Sequence, residues 1–543
     1  MQSASPTVSD IILRQLSLWG IRRIYGVAGD AVLPFLHAVG QQTAVQYIAA
    51  RHESGAAFMA SAEGKCSREM AVCLGTSGPG LVNMLNGIAD ATADRVPLLV
   101  LTGQLALKKV GTEAKQYIEQ QQMIAPLAVY SAQLLHPDAT VEVLQKAVIE
   151  AHSKRGVAHI SVPVDVWNAP CSREPHQPTG VLKTSRYQNL EQLEQAVNLL
   201  SAAEAPMILI GTGARGASRA IAELAEAMGA GIVETLGAKG TVPHSHPLNV
   251  GGIGEGGSEA SRNLLQQSDC VLAVGANWWP EGFVPKDTQV IHIDTAPASI
   301  EAHPEVVCGL VGDAAEILPL IRQQLPQGPK SSWQGHIHEA RAHFDASLDR
   351  ERQNDAHPVA PQRVIAALDE TVDDRAIVAV DTGDHTVWFN RVFRATQQDI
   401  LFSGKWRTMG FALPAAIAAK LTFPERQVVA CVGDGSFAMT MMELATAVTY
   451  RTPVSVIVMN NRSLSMEKNS MNAQGMQPFG TELINPNFAD LAQAFGAKGI
   501  HVETADELSP ALETAFTCGE PAVVDVHTSD AMPPFTYFKQ AVQ

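Results

Sequence analysis

No two of the seven cysteines (Cys66, Cys73, Cys171, Cys270, Cys308, Cys431 and Cys518) form a CxxC pair, so the chain offers neither a cysteine zinc site nor a dithiol motif. Scattered through 543 residues, they read as reduced, mostly buried thiols and a cytoplasmic setting. Positive charge is also short. With 39 Lys and Arg against 55 Asp and Glu, the net charge of −16 argues against nucleic acid or anionic lipid as the main partner. No apolar run is long enough to cross a bilayer, and MQSASPTVSDIILRQL lacks a basic segment before an apolar one. Neither a stable membrane anchor nor a signal peptide is therefore expected.

What the chain has in quantity is short apolar runs that end in Gly, Asp or Asn and lead into helical patterns. Examples are AVCLG (71–75), MILIG (207–211), VIHID (290–294), QVVACVGDG (427–435), VSVIVMNN (454–461) and AVVDVH (522–527). Such runs predict βα units and an α/β fold of doubly wound parallel sheets, with ligands at the strands' carboxyl ends. Two polar stretches, 169–186 and 324–358, read as linkers. They divide the chain into three expected blocks, 1–170, 187–325 and 356–530.

One constellation carries chemistry. Asp434 stands between Gly433 and Gly435 where an apolar run ends, and a helical pattern, FAMTMMELATAVTY, follows. The next run, VSVIVM, delivers Asn460-Asn461, so Asp434 and Asn461 lie 27 positions apart at the ends of consecutive strands. A crossover places such strands side by side. A carboxylate, an amide oxygen and a nearby backbone carbonyl make a hard-oxygen set suited to Mg²⁺ on phosphate oxygens. The two glycines allow close backbone approach, and a helix starting near Ser436 presents its positive end to an anion.

On GDG followed by NN, the chain resembles the thiamine-diphosphate enzymes, and the resemblance runs over essentially its whole length. The three blocks match that family's pyrimidine-binding, central and diphosphate-binding domains. The resemblance implies that Asp434, Asn461 and the Ser463 carbonyl hold Mg²⁺, and that Gly383 and His385, in DTGDH, touch the diphosphate. Met409, in WRTMGFALPAA, matches the apolar residue that bends the cofactor, with ordinary core filling as the plainer reading. Glu53, in RHESGAAFMASAEGK, matches the carboxylate that activates the aminopyrimidine from a partner subunit, so at least a dimer is expected, dimer or tetramer left open.

The fate of the substrate after loss of CO₂ depends on finer features. Gly211, Gly213 and Gly216 make a GxGxxG in the middle block, a weak signal by itself. VIHIDTAPASIEAH resembles the flavin members' segment, with Asp294 kept, so FAD is expected there. Pieces such as GVAGD, RHE and NGIAD are similar to the pyruvate oxidases, which implies a short 2-oxo acid substrate, pyruvate first, and oxidation through FAD, with ligation of the acetolactate synthase type and then simple decarboxylation as the rivals. Two departures count against an oxidase. GTEAKQYIEQQ keeps Gln116 but has Lys115 in place of the family's Phe, and Glu467 stands where decarboxylases carry a proton-handling Glu. A solvated helix residue is the other reading of Glu467.

Overall fold

The computed structural model describes residues 5–177, 187–276, 287–303, 305–325, 328 and 331–534. Residues 178–186 of the first expected linker lie outside them. Among the described residues eighteen strands form three six-stranded sheets, and every strand pairing is parallel. The first sheet contains β1 (Arg23–Gly26), β2 (Gln46–Ala49), β3 (Ala71–Gly75), β4 (Leu98–Gln104), β5 (Ala128–Gln133) and β6 (Val157–Pro163). Its order is β2-β1-β3-β4-β6-β5. The second contains β7 (Pro206–Ile210), β8 (Gly231–Glu234), β9 (Asn249–Gly252), β10 (Cys270–Val274), β11 (Gln289–Asp294) and β12 (Val306–Val311), in the order β12-β11-β10-β7-β8-β9. The third contains β13 (Ile377–Val380), β14 (Asp399–Leu401), β15 (Val428–Gly433), β16 (Ser455–Asn460), β17 (Lys498–Val502) and β18 (Ala522–His527). Its order is β14-β13-β15-β16-β18-β17.

The central strands of each sheet are buried on both faces, which is why they read as continuous apolar runs without alternation. The first and third sheets share one core. Small residues of the helix Glu53–Ser67 (Ala56, Ala57 and Ala60) let it pack closely, and they belong to the same buried cluster as Ala412, Ala415 and Ala416 of the helix Ala412–Thr422.

Two expectations need correction. The stretch 324–358 contains a helix, Ser331–Arg352, whose Trp333, Ile337, Phe344 and Leu348 are buried in the core around the second sheet. Their spacing places them on one helical face, which overall polarity of the segment conceals. The Trp333 Nε1–H donates to the Pro206 oxygen at 3.0 Å, while His336, His338 and His343 are exposed. The helix expected after Asp434 is also broken, into Asp434–Thr440, a 3₁₀ turn Met441–Glu443 and Leu444–Thr449. At that break the Glu443 carboxylate accepts backbone N–H groups of Arg51 and His52 from the first block. Among the described residues no helix is long and apolar enough to cross a membrane.

Candidate active site

In the third sheet the chain runs outward from β13 to β14 on one side and through β15 and β16 on the other, so the direction of winding switches between β13 and β15. Clefts in open α/β sheets form at such points. A cavity lies there, lined among others by Gly383, His385, Arg407, Met409, Gly433, Asp434, Gly435, Ser436, Asn461, Ser463, Glu467 and Thr528. Strand register explains the gathering. Gly433 pairs with Met459, and Asn460 pairs with His527, so Asp434, Asn461 and Thr528 leave three neighbouring strands at one level.

Asp434 is 2% exposed. Its Oδ1 accepts the Gly435 N–H at 2.8 Å and its Oδ2 an Asn485 N–H at 2.7 Å. Among the described residues no cation pairs with it, and burial pushes its carboxyl above the ordinary range. Asn461 Oδ1 accepts the Ser463 N–H at 3.1 Å, which folds the loop so that both residues face the cavity. The flanking glycines have local reasons. A Cβ on Gly433 would stand 2.9 Å from His385 Nδ1, and one on Gly435 would stand 2.8 Å from Leu464 Cδ2 and 3.4 Å from Met409 Cε.

Mg²⁺ and a diphosphate fit these residues. Among the described residues the Asp434 carboxylate lacks a counter-charge, and three buried polar atoms of cavity residues have no hydrogen-bond partner: His385 Nε2, Ser463 Oγ and Thr528 Oγ1. Unpartnered buried groups are costly, so several converging on one cleft point to a polar ligand. Burial holds His385 down to about 4. No cluster of three His, Cys, Asp or Glu suited to a metal occurs among the described residues. One carboxylate with amide and carbonyl oxygens is a different kind of set, appropriate to a magnesium ion that shares its shell with phosphate.

Asp381, at the end of β13, was not foreseen. It is buried, and burial raises it to about 6 despite bonds from the N–H groups of Thr382, Gly410 and Ala412. It thereby fixes the backbone on either side of Phe411, just after Met409. Its place in AVDTG at a strand end was a usable signal. Asn485, which bridges Asp434 and Asn460 at 2.7 and 3.0 Å, had none, because it arrives from 51 residues further along the chain.

The remaining expected residues lie elsewhere. Glu53 begins its helix beyond β2 and accepts from Asn83 Nδ2 at 3.0 Å, but it is not part of the cavity wall. Gln116 is an exposed loop residue with φ 66°. Glu467 is exposed in the first turn of the helix Ser465–Ala473 and does line the cavity. Gly211 and Gly213 are used in packing: a Cβ on Gly213 would stand 2.7 Å from Gly275 Cα, and one on Gly211 would collide with the Gly275 oxygen. Asp294 accepts the Ala296 N–H at 2.8 Å and faces Arg95 at 3.9 Å. None of these three lines the switch-point cavity.

The thiamine pyrophosphate (thiamine diphosphate) enzyme family models match three stretches: the N-terminal TPP binding domain at residues 6–123, the central domain at 193–321 and the C-terminal TPP binding domain at 381–526. The chain belongs to the thiamine pyrophosphate enzymes. Within that family it is 34% identical to a putative thiamine pyrophosphate-containing protein of Bacillus subtilis, over 98% of this chain and 93% of the relative. It is 30% identical to a probable acetolactate synthase large subunit of Methanocaldococcus jannaschii, over 97% of this chain and 93% of the relative. It is 29% identical to the pyruvate oxidase of Lactiplantibacillus plantarum, over 96% of this chain and 89% of the relative.

Proposed function

We propose that this thiamine-diphosphate enzyme decarboxylates a short 2-oxo acid, pyruvate being the first candidate. The observation that carries the reading is the buried, uncompensated Asp434 beside Asn461 and three unpartnered polar atoms over the switch point. Asp434, Asn461 and the Ser463 carbonyl would hold Mg²⁺. Gly383, His385 and Ser436 would face the diphosphate, and Met409 would support the cofactor's middle. Bound thiamine diphosphate would supply a nucleophilic carbon and an electron sink. Glu53 would take and return a proton at the aminopyrimidine of a second copy, since in its own chain it stands away from the cavity. Active sites would then lie between subunits, in a dimer or a tetramer.

Two continuations follow loss of CO₂. The pyruvate oxidase relative supports oxidation through FAD, while the acetolactate synthase relatives support ligation to a second 2-oxo acid. An anaerobic visible spectrum of the purified protein, before and after pyruvate with thiamine diphosphate and Mg²⁺, separates them. A flavin band that bleaches selects oxidation, and no flavin band removes it. Glu53→Gln tests the common first half: turnover should fall by at least a hundredfold, and full turnover would refute the assignment.

A further inference from the structure

Of the described residues lining the cavity, Arg407 alone is a lysine or arginine. Its backbone has φ 56°, a left-handed conformation that side chains with a Cβ adopt at a cost. The loop around it is pinned from several directions. Ser403 O accepts the Arg407 N–H at 3.2 Å, and Ser403 Oγ accepts the Thr408 N–H at 3.1 Å. From the first block, Asp94 accepts the N–H groups of Gly404 and Lys405 at 2.9 and 2.8 Å. Asn86 accepts from Trp406 Nε1 at 2.8 Å and donates to Thr408 Oγ1 at 3.1 Å. Asp381 then accepts the Gly410 N–H at 2.9 Å. A strained non-glycine residue held this firmly at a cleft points to function.

The guanidinium itself is lightly engaged. It meets Glu255 Oε2 at 3.4 Å, with the two side chains 43% and 50% exposed. Such an exposed pair is weak, and a substrate carboxylate in bidentate geometry would displace it. The carboxylate lost as CO₂ must shed its charge, so a guanidinium bound to it would stabilise the ground state and slow the step. Arg407 therefore suits a carboxylate that survives the reaction.

We propose that Arg407 is a specificity-determining residue that receives a retained carboxylate. That group is either the distal carboxylate of a dicarboxylic 2-oxo acid or the carboxylate of a second 2-oxo acid serving as acceptor. The inference rests on reading the cavity as a thiamine-diphosphate decarboxylation site. Glu255 is its resting counter-ion, standing in for the carboxylate until substrate arrives.

The test uses the full-length protein with thiamine diphosphate and Mg²⁺, comparing wild type with Arg407→Gln, Arg407→Lys, Arg407→Gly and Glu255→Gln. Three quantities are measured: cofactor Kd by tryptophan fluorescence, single-turnover CO₂ release from pyruvate and from 2-oxoglutarate, and the pyruvate concentration for half-maximal ligation. Arg407→Gln should leave the cofactor Kd and CO₂ release from pyruvate within about twofold. It should raise the 2-oxoglutarate requirement about tenfold to a hundredfold if the carboxylate belongs to the donor, or the ligation requirement by that factor if it belongs to an acceptor. Arg407→Lys should recover part of the loss, and Glu255→Gln should lower the affected requirement. Arg407→Gly should show the full loss with an unchanged or higher melting temperature, since glycine is at ease at this φ. Unchanged requirements in both arms would overturn the proposal while leaving the enzyme class intact. A weakened cofactor Kd in Arg407→Gln would also overturn it, assigning the side chain to the diphosphate. Failure of wild type to bind thiamine diphosphate would instead remove the reading of the cavity, and this inference with it.

Discussion

Replacing Glu443 in two ways should move stability in different directions. Its buried carboxylate joins the third block to the turn that carries Glu53: Oε1 accepts the N–H groups of Arg51 and His52 at 3.1 and 3.0 Å, and Oε2 accepts from Thr446 Oγ1 at 2.7 Å. Gly55 is pressed so close that a Cβ there would collide with Oε1. Burial raises the Glu443 carboxyl above 4.5, because the charged form is the costlier one inside the protein. A raised carboxyl favours the fold below its unfolded value, and that contribution is lost as pH rises through the folded value. Glu443→Gln keeps an acceptor for Arg51 and His52, can donate to the Thr446 hydroxyl and removes the buried charge. It should stay within about 1 kcal/mol of wild type at neutral pH, or exceed it. Glu443→Ala leaves two backbone donors unsatisfied at about 1–3 kcal/mol each and should cost about 3–5 kcal/mol in all. Denaturant titrations at fixed cofactor concentration between pH 5 and 8, with turnover measured alongside, provide the assay. Turnover should fall in the Ala variant and persist in the Gln variant, since the turn holds Glu53. If Gln is as damaging as Ala at neutral pH, charge rather than hydrogen bonding holds the turn and the reasoning fails.

Three further outcomes follow from the cavity. Burial lowers His385 from 6.5 to about 4, so its stabilising contribution is present above 6.5 and is lost as pH falls toward 4, about 3 kcal/mol in total; His385→Asn should flatten that part of the acid limb in unfolding titrations. Gly435→Val would drive a Cβ against Leu464 and Leu483 and crowd Met409. Calorimetric titration should then show thiamine diphosphate binding at least tenfold weaker, with the melting temperature within a few degrees of wild type. Asp434→Asn should raise the Mg²⁺ concentration for half-maximal activity about a hundredfold, and dialysis against a chelator should abolish wild-type activity until Mg²⁺ is restored.

Much of the third sheet was readable in advance because its central strands are buried on both faces, and an apolar run ending in Asp or Asn marks a strand end. AVVDVH matches β18 residue for residue. The burial of one face of the helix Ser331–Arg352 was hidden because four apolar residues at helical spacing are diluted by charged neighbours. The GxGxxG of the middle block shows the opposite difficulty. Its first two glycines, Gly211 and Gly213, are needed for backbone packing against Gly275, a demand that looks the same in sequence as a phosphate-binding turn.

By itself the sequence determined the βα alternation, the glycine–acid–glycine turn and the placing of Asp434 and Asn461 at the ends of consecutive strands, since each is a local property: a run, a turn, a spacing. Tertiary structure alone decided what stands around them. Asn485 on Asp434, Glu443 under the Glu53 turn, and Asp94 and Asn86 on the Arg407 loop join positions separated by 51 to 392 residues. Such pairings come from the packing of sheets and helices against one another, and a side chain's sequence neighbours carry no trace of the distant donor it will meet.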